Sequence, residues 1–224
     1  MLAISIQDIR IGLIGKSATG TSSAAKELLK MIGCIPYSNS GDFTRQLAAE
    51  HGMVIGPFVT YMKENPDLYL DRQIDERMRK AGIENGNGIF EGRLVPNFVD
   101  DVFNVLFVCE REVRGQRRHA DLLEAARKKG LPFELTWEQV LELEERRDEE
   151  DRLRYIDIYG EEVILDERQY HLCVDTTPKS KPAKLIAEEI LSAFEAWHNA
   201  GRVPGPFPRK DVGYVPGSTI MQLA

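Results

Sequence analysis

Ile9-Arg10-Ile11-Gly12-Leu13-Ile14-Gly15-Lys16-Ser17-Ala18-Thr19-Gly20-Thr21-Ser22-Ser23 runs without a break into Ala24-Ala25-Lys26-Glu27-Leu28-Leu29-Lys30-Met31-Ile32-Gly33. Apolar residues alternate into a glycine-rich turn. Apolar positions at helical spacing follow (Ala25, Leu28, Leu29, Ile32), which predicts a buried strand, a tight loop and a helix. Gly15 and Gly20 bracket four residues, as in the phosphate-binding pattern G-x-x-x-x-G-K-[ST]. Such a loop curls until successive N–H groups and the positive end of the helix converge on an anion, so Gly15, Lys16, Ser17, Ala18, Thr19, Gly20, Thr21 and Ser22 are candidate phosphate ligands. Thr21 stands where the pattern has lysine, while Ser22 keeps the hydroxyl that would hold Mg2+. Lys16, earlier in the same loop, is the candidate for the missing cation. An ordinary glycine turn between a strand and a helix is the alternative that this stretch alone leaves open.

With 224 residues, 42% of them hydrophobic, the chain can bury one sizeable core, and nothing in it suggests two independent domains. A formal net charge of -7 argues against a nucleic-acid coat, although basic residues clustered locally could bind a small anion. Cys34, Cys109 and Cys173 are widely spaced in apolar surroundings, which fits reduced core thiols better than disulfides or a metal site. There is no secretory n-region and no apolar run long enough to span a bilayer, so a soluble cytoplasmic protein without a membrane partner is expected.

Along the chain, Cys34–Tyr37 reads as a short strand, and Ser38-Asn39-Ser40-Gly41-Asp42 as turn and capping residues before a helix from Phe43. Asn65 as N-cap with Pro66 in the first turn predicts a helix with Leu68, Ile74 and Met78 on one side and Asp71, Arg72, Asp75 and Arg77 around it. Ile89–Arg93 reads as a strand with a polar tip. Val102–Val108 reads as a strand buried on both faces. Arg111–Lys129 is a strongly basic helical segment, and Thr136-Trp137-Glu138-Gln139 matches a capping box that opens a charged helix through Arg154. Leu172–Asp175 is the last expected strand, and Pro182 starts a helix with Leu185, Ile186, Ile190 and Phe194 on its apolar face. From Gly201 the chain is rich in proline and glycine, cannot form a regular element and is expected to be extended or loosely ordered. Strands alternating with helices imply an open, mostly parallel α/β sheet with ligands at the carboxyl ends of its strands.

Three polar tips then meet over one crevice: Gly15–Ser22, Ser40-Gly41-Asp42 with Arg45, and Glu91-Gly92-Arg93. Transferring a phosphoryl group between two anions requires cations that hold donor and acceptor in line, and arginine forks bind phosphate bidentately. Besides Arg45 and Arg93, the candidates lie in Arg147-Asp148-Glu149-Glu150-Asp151-Arg152-Leu153-Arg154. Arg147, Asp151 and Arg154 are spaced i, i+4, i+7 on one helix face, where a carboxylate between two arginines would orient both. A charged helix of this kind is also what a solvated face looks like. The four histidines make no metal-ligand spacing, and Trp137 and Trp197 sit at packing positions of helices.

Five motifs in this order resemble the cytidylate kinases, in particular the short archaeal-type ones, within the P-loop nucleoside monophosphate kinases. They are the loop at Gly15–Ser22, Ser-Gly-Asp-x-x-Arg-Gln-x-Ala at Ser40–Ala48, Glu-x-Pro-x-x-x-x-Asp-x-x-Ile-Asp-x-Arg at Glu64–Arg77, Glu-Gly-Arg at 91–93, and Arg-Asp-x-x-Asp-Arg-x-Arg at 147–154, followed by Tyr155 and Tyr159-Gly160. The resemblance implies a three-layer P-loop NTPase fold at 1–200, with a helical monophosphate-binding insertion about 40–85, a lid about 115–155, and the tail 201–224 beyond. It implies transfer of the ATP γ-phosphate to CMP or dCMP with Mg2+, by a monomer or weak homodimer. Ser40, Asp42, Arg45, Asp71, Asp75 and Arg93 would then serve the acceptor nucleotide, and Lys16, Arg147, Asp151 and Arg154 the transfer. The alternatives are a relative that binds nucleotide or a protein partner without turnover, and a small-molecule kinase with another acceptor.

Overall fold

The apolar residues before the glycine loop form strand β1 (Arg10–Gly15) and those after it helix α1 (Thr21–Ile32), in a computed structural model that describes residues 5–159, 169–178 and 181–202. The expected tail beyond Arg202 and Gly160 of the last motif lie outside the described residues. Strands β2 (Tyr37–Asn39), β3 (Gly88–Glu91), β4 (Phe103–Val108) and β5 (Leu172–Asp175) join β1 in a five-stranded sheet of order β2-β3-β1-β4-β5. Every pairing is parallel. Parallel neighbours need crossover connections, which cover both faces of the sheet with helices. These helices are α2 (Ser40–Glu50), α3 (Ile55–Glu64), α4 (Leu70–Glu84), the single turn α5 (Val95–Phe98), α6 (Arg111–Lys129), α7 (Trp137–Tyr159) and α8 (Ala183–Asn199).

Alternation along the strands sorts the core. Ile11, Leu13, Ile89, Val105 and Phe107 face α1 and α8, where Leu28, Ile186, Ile190 and Phe194 meet them. Ile14, Phe90 and Leu106 face the other way, toward Met78 of α4 and Val95 of α5. Fully burying one such side chain contributes about 1.5–3 kcal/mol, which holds β1 and its loop in place. Leu47, Phe58, Met62, Leu70 and Ile74 form a separate small core within α2–α4. Helices α6 and α7 pack as a hairpin at Gly115, where a Cβ would lie 2.9 Å from Leu141 Cβ and 3.2 Å from the Trp137 ring. Only glycine lets the two backbones come this close. Among the described residues no helix is long and apolar enough to cross a membrane.

Local chemistry explains where the expected elements shift. The capping box forms as expected: Thr136 N–H donates to Gln139 Oε1 at 2.9 Å and Gln139 N–H to Thr136 Oγ1 at 3.3 Å. Helix α2 starts earlier than Phe43, because Asn39 Oδ1 accepts the N–H groups of Gly41 and Asp42. β2 begins at Tyr37 rather than Cys34: Gly33 leaves α1 with φ +93°, and Cys34 is exposed in the following turn instead of being a core thiol. Asn65 starts no α-helix: it closes α3 instead, its backbone N–H donating to Tyr61 O at 3.1 Å. Pro66–Leu68 is a 3-10 turn, Tyr69 is left-handed at φ 49°, and α4 starts at Leu70, so Leu68 is exposed and Leu70 takes its place in the core. On α8, Leu185 is likewise exposed, with Ala187 and Leu191 buried beside Ile186, Ile190 and Phe194. Helix α3 has no cap signal and carries Gly56 and Pro57 in its first turn, which hides it from periodicity.

Candidate functional site

The glycine loop sits at the carboxyl end of β1. A Cβ on Gly15 would lie 2.5 Å from Thr19 Oγ1, which turns back to donate to Lys16 O at 2.8 Å. Ala18 (φ 62°) and Gly20 (φ +97°) are both left-handed, and this curls the loop tightly. Gly20 caps α1 without a side-chain hydrogen bond, so the first N–H groups of α1 remain open to an anion. Thr176, just past β5, braces the loop by donating to Thr19 O at 2.7 Å. Arg117 in turn donates to Thr176 O at 2.6 Å.

Glu91, buried at the tip of β3, collects the hydroxyls around the loop. Thr21 Oγ1 and Ser22 Oγ each donate to its Oε1 at 2.7 Å, and the Tyr37 hydroxyl donates to its Oε2. Among the described residues no basic side chain bonds Glu91. Burial first, and then the Glu91 carboxylate, push the Tyr37 phenol pKa up, so it stays a donor. Gly92 follows because Ser40 Oγ would lie 2.8 Å from any Cβ there.

Arg93, one residue further on, starts a chain of alternating charge. It donates to Asp148, and to Asp151 Oδ2 at 3.1 Å. Asp148 also accepts from Arg114 of α6 at 2.9 Å, and Asp151 from Arg154 at 2.8 Å. Arg154 Nε reaches Asp71 of α4 at 3.1 Å, and Arg114 Nε donates to Ser17 O in the glycine loop at 3.0 Å. The order Ser17 O, Arg114, Asp148, Arg93, Asp151, Arg154, Asp71 thus ties the loop, α6, α7, the β3 tip and α4 together. Burial alone would lower the pKa of Arg93 and Arg154, but the facing aspartates more than offset it and both are raised. Asp71 is raised, by burial first and by the like charge of Asp151, against the pull of Arg154.

Of the residues singled out from sequence, Arg93, Asp151, Arg154 and Asp71 come together, and Asp75 lies close enough to Tyr155 to raise its phenol, which burial raises most. Ser40 abuts Gly92. Arg45 pairs with Asp42 at the exposed start of α2, outside the charge chain. Arg147 is exposed and bonds to none of the described residues, so the second arginine on Asp151 is Arg93. Lys16 is exposed too. Its charge reaches α7, where Arg111 mainly and Lys16 to a lesser degree hold Glu145 below the usual carboxylate range. Arg114, Asp148 and Arg117 were not singled out individually. For Asp148 a signal existed: Leu141, Glu144, Asp148, Asp151 and Tyr155 continue, in steps of three and four, the face that buried Leu141 fixes.

Comparison with known proteins finds archaeal cytidylate kinases. That of Thermococcus sibiricus is 30% identical over 167 residues, covering 74% of this chain and 78% of that kinase. That of Methanobrevibacter smithii is 29% identical over 146 residues, covering 65% of this chain and 77% of that kinase. Among solved structures, shikimate kinase from Acinetobacter baumannii superposes with a TM-score of 0.51 over 85% of this chain and 96% of that one, a likeness of fold at 15% identity. No family model matches the chain.

Proposed function

The chain belongs to the cytidylate kinase family of P-loop kinases, and from that premise we propose that it transfers the γ-phosphoryl group of ATP to CMP or dCMP. The observation that carries this reading is the alternating chain from Ser17 O to Asp71, because it puts arginine forks from three elements around one crevice at the loop. Phosphoryl transfer asks a protein for little covalent chemistry and much positioning and charge stabilisation. The aspartates keep the forks apart and in register until phosphate oxygens take their places. Gly15–Ser22 serve the ATP phosphates, Ser40, Asp42 and Arg45 the acceptor side, and Arg93, Asp151 and Arg154 both. Helices α2–α4 act as the acceptor-binding insertion and α6–α7 as the lid. Arg147 and Lys16, exposed at the margins, are given no part.

Ser22 and Glu91 fit Mg2+. They offer a hydroxyl and a carboxylate oxygen 2.7 Å apart, hard donors of the kind the ion takes alongside waters and phosphate oxygens. Among the described residues no cluster of three or more His, Cys, Asp or Glu could hold a metal by itself, which suits an ion shared with the nucleotide. When bound, Mg2+ neutralises charge on the phosphate oxygens. Nucleotide binding without turnover is favoured by one observation, the hydroxyl of Thr21 in the lysine's place. Product formation with Mg·ATP over a panel of nucleoside monophosphates and other small acceptors decides. CMP and dCMP are expected to lead, a different leading acceptor overturns the assignment of substrate, and transfer to none leaves the binding-only reading.

A further inference from the structure

The loop lacks its own cation. Thr21 cannot supply one, and its hydroxyl is spent on Glu91. The Lys16 side chain is exposed, and its ammonium group makes no hydrogen bond or ion pair among the described residues. We infer that Arg114, from α6, is the cation of this phosphate loop, contacting the terminal phosphates of the bound nucleotide; the inference rests on the kinase reading above.

Arg114 is 7% exposed, and its guanidinium is fixed at two points: Nε on the loop carbonyl of Ser17 at 3.0 Å and Nη2 on Asp148 at 2.9 Å. Its third nitrogen, Nη1, makes no hydrogen bond among the described residues. A buried fork that uses two nitrogens for position and keeps one unspent can bind an anion with little reorganisation. Because Nε is tied to the loop's own backbone, the charge travels with the loop, as a lysine within it would. Gly115, the next residue, lets α7 approach closely enough for Asp148 to hold the other end of the fork. Among the described residues Arg93 and Arg154 pair with the aspartates of α7 and α4 rather than with the loop. The rival assignment is a brace: Arg114 could simply fasten the α6–α7 hairpin to the loop.

The two differ in how nucleotide affinity depends on phosphate number. Arg114→Gln keeps a donor for Ser17 O but loses the charge, whereas Arg114→Lys keeps the charge and loses the fork. Calorimetric titration with Mg2+ and either ADP or the imido analogue of ATP needs no turnover. For Arg114→Gln the triphosphate analogue is expected to bind at least tenfold more weakly and ADP to lose clearly less. Arg114→Lys should recover most of the difference, and kcat of Arg114→Gln with the best acceptor should fall a hundredfold or more. Adding Thr21→Lys to Arg114→Gln should restore part of the triphosphate affinity; Thr21→Lys alone, which leaves Arg114 in place and serves if Arg114→Gln is poorly folded, should raise triphosphate affinity less than threefold, and a tenfold gain would overturn the inference. Equal weakening of both nucleotides with a lowered Tm, or affinities within twofold of the unmodified protein, overturns the inference in favour of the brace. A protein that phosphorylates no acceptor, yet discriminates by phosphate number through Arg114, loses the kinase reading and keeps this one. Active transfer with a silent Arg114→Gln does the reverse.

Discussion

Glu91 and Arg93 stand on either side of Gly92 and live in opposite worlds. Glu91 is a buried anion surrounded by hydroxyls from α1 and β2, with no basic residue bonded to it among the described residues. Arg93 is a mostly buried cation held between two aspartates of α7. The strand tip thus divides the crevice into a side that offers oxygen ligands and a side that offers guanidinium forks. A nucleotide with its metal needs both, since phosphate oxygens call for cations and Mg2+ calls for hard oxygen donors. Thr21 belongs to the oxygen side, where its hydroxyl is satisfied by Glu91 at 2.7 Å.

Breaking the cationic side should have the largest effect. Arg93→Ala leaves Asp148 and Asp151 facing each other across the gap, each reduced to one arginine. Removing one partner of a buried ionic network leaves uncompensated charge, and a loss near 3 kcal/mol is expected, read as a lower urea midpoint, together with loss of transfer. Arg147→Ala, exposed on the same helix, is the control and should stay within about 0.5 kcal/mol. Equal effects of the two would erase the distinction between the inner and outer faces of α7.

The oxygen side should respond less. Glu91→Gln keeps the shape but replaces one of the two accepting oxygens by an NH2, so the hydroxyls on that side lose their acceptor, at a cost of about 1–3 kcal/mol. If Ser22 and Glu91 share Mg2+, the metal concentration for half-maximal activity should rise as well. A variant as stable as the parent and with unchanged metal demand would mean that the hydroxyls turn to water and the carboxylate has no ion to hold.

How much of this was legible in the sequence follows from how local each cause is. The loop, β3, β4, α1 and the Thr136 capping box are set by neighbours a few residues apart, and periodicity with capping chemistry found them. The charge chain is not local. Arg114 meets Ser17 across 97 positions and Arg93 meets Asp148 across 55, so in sequence Arg114 was one basic residue in a basic segment. Spacing of i, i+4, i+7 gathers Arg147 with Asp151 and Arg154, but spacing defines a wide stripe and packing selects its middle. That middle runs through Leu141, Asp148 and Asp151, and Arg147 falls at its edge. Likewise Pro66 and Asn65 carried a sound helix-start signal, which a left-handed Tyr69 confined to a single 3-10 turn.

The smallest expected effect tests whether the charge chain stabilises its far end at all. Asp71 has its carboxyl pKa raised, chiefly by burial and also by Asp151, with Arg154 pulling the other way. The folded protein therefore keeps this proton to a higher pH than the unfolded chain does. Where only the folded state binds the proton, stability falls as pH rises, so the contribution of Asp71 is most favourable below the ordinary carboxylate pKa and is lost as pH climbs through the folded value. Asp71→Asn has no proton to lose and can still accept from Arg154 Nε. Urea midpoints of parent and variant between pH 3.5 and 7 give a difference in which the other titrating groups largely cancel. That difference should shift in favour of Asp71→Asn as pH rises. A parent that instead gains on the variant with rising pH would show that Arg154 outweighs burial. The α4 end of the chain would then be a net attraction that draws α7 down, rather than a costly contact retained for the ligand.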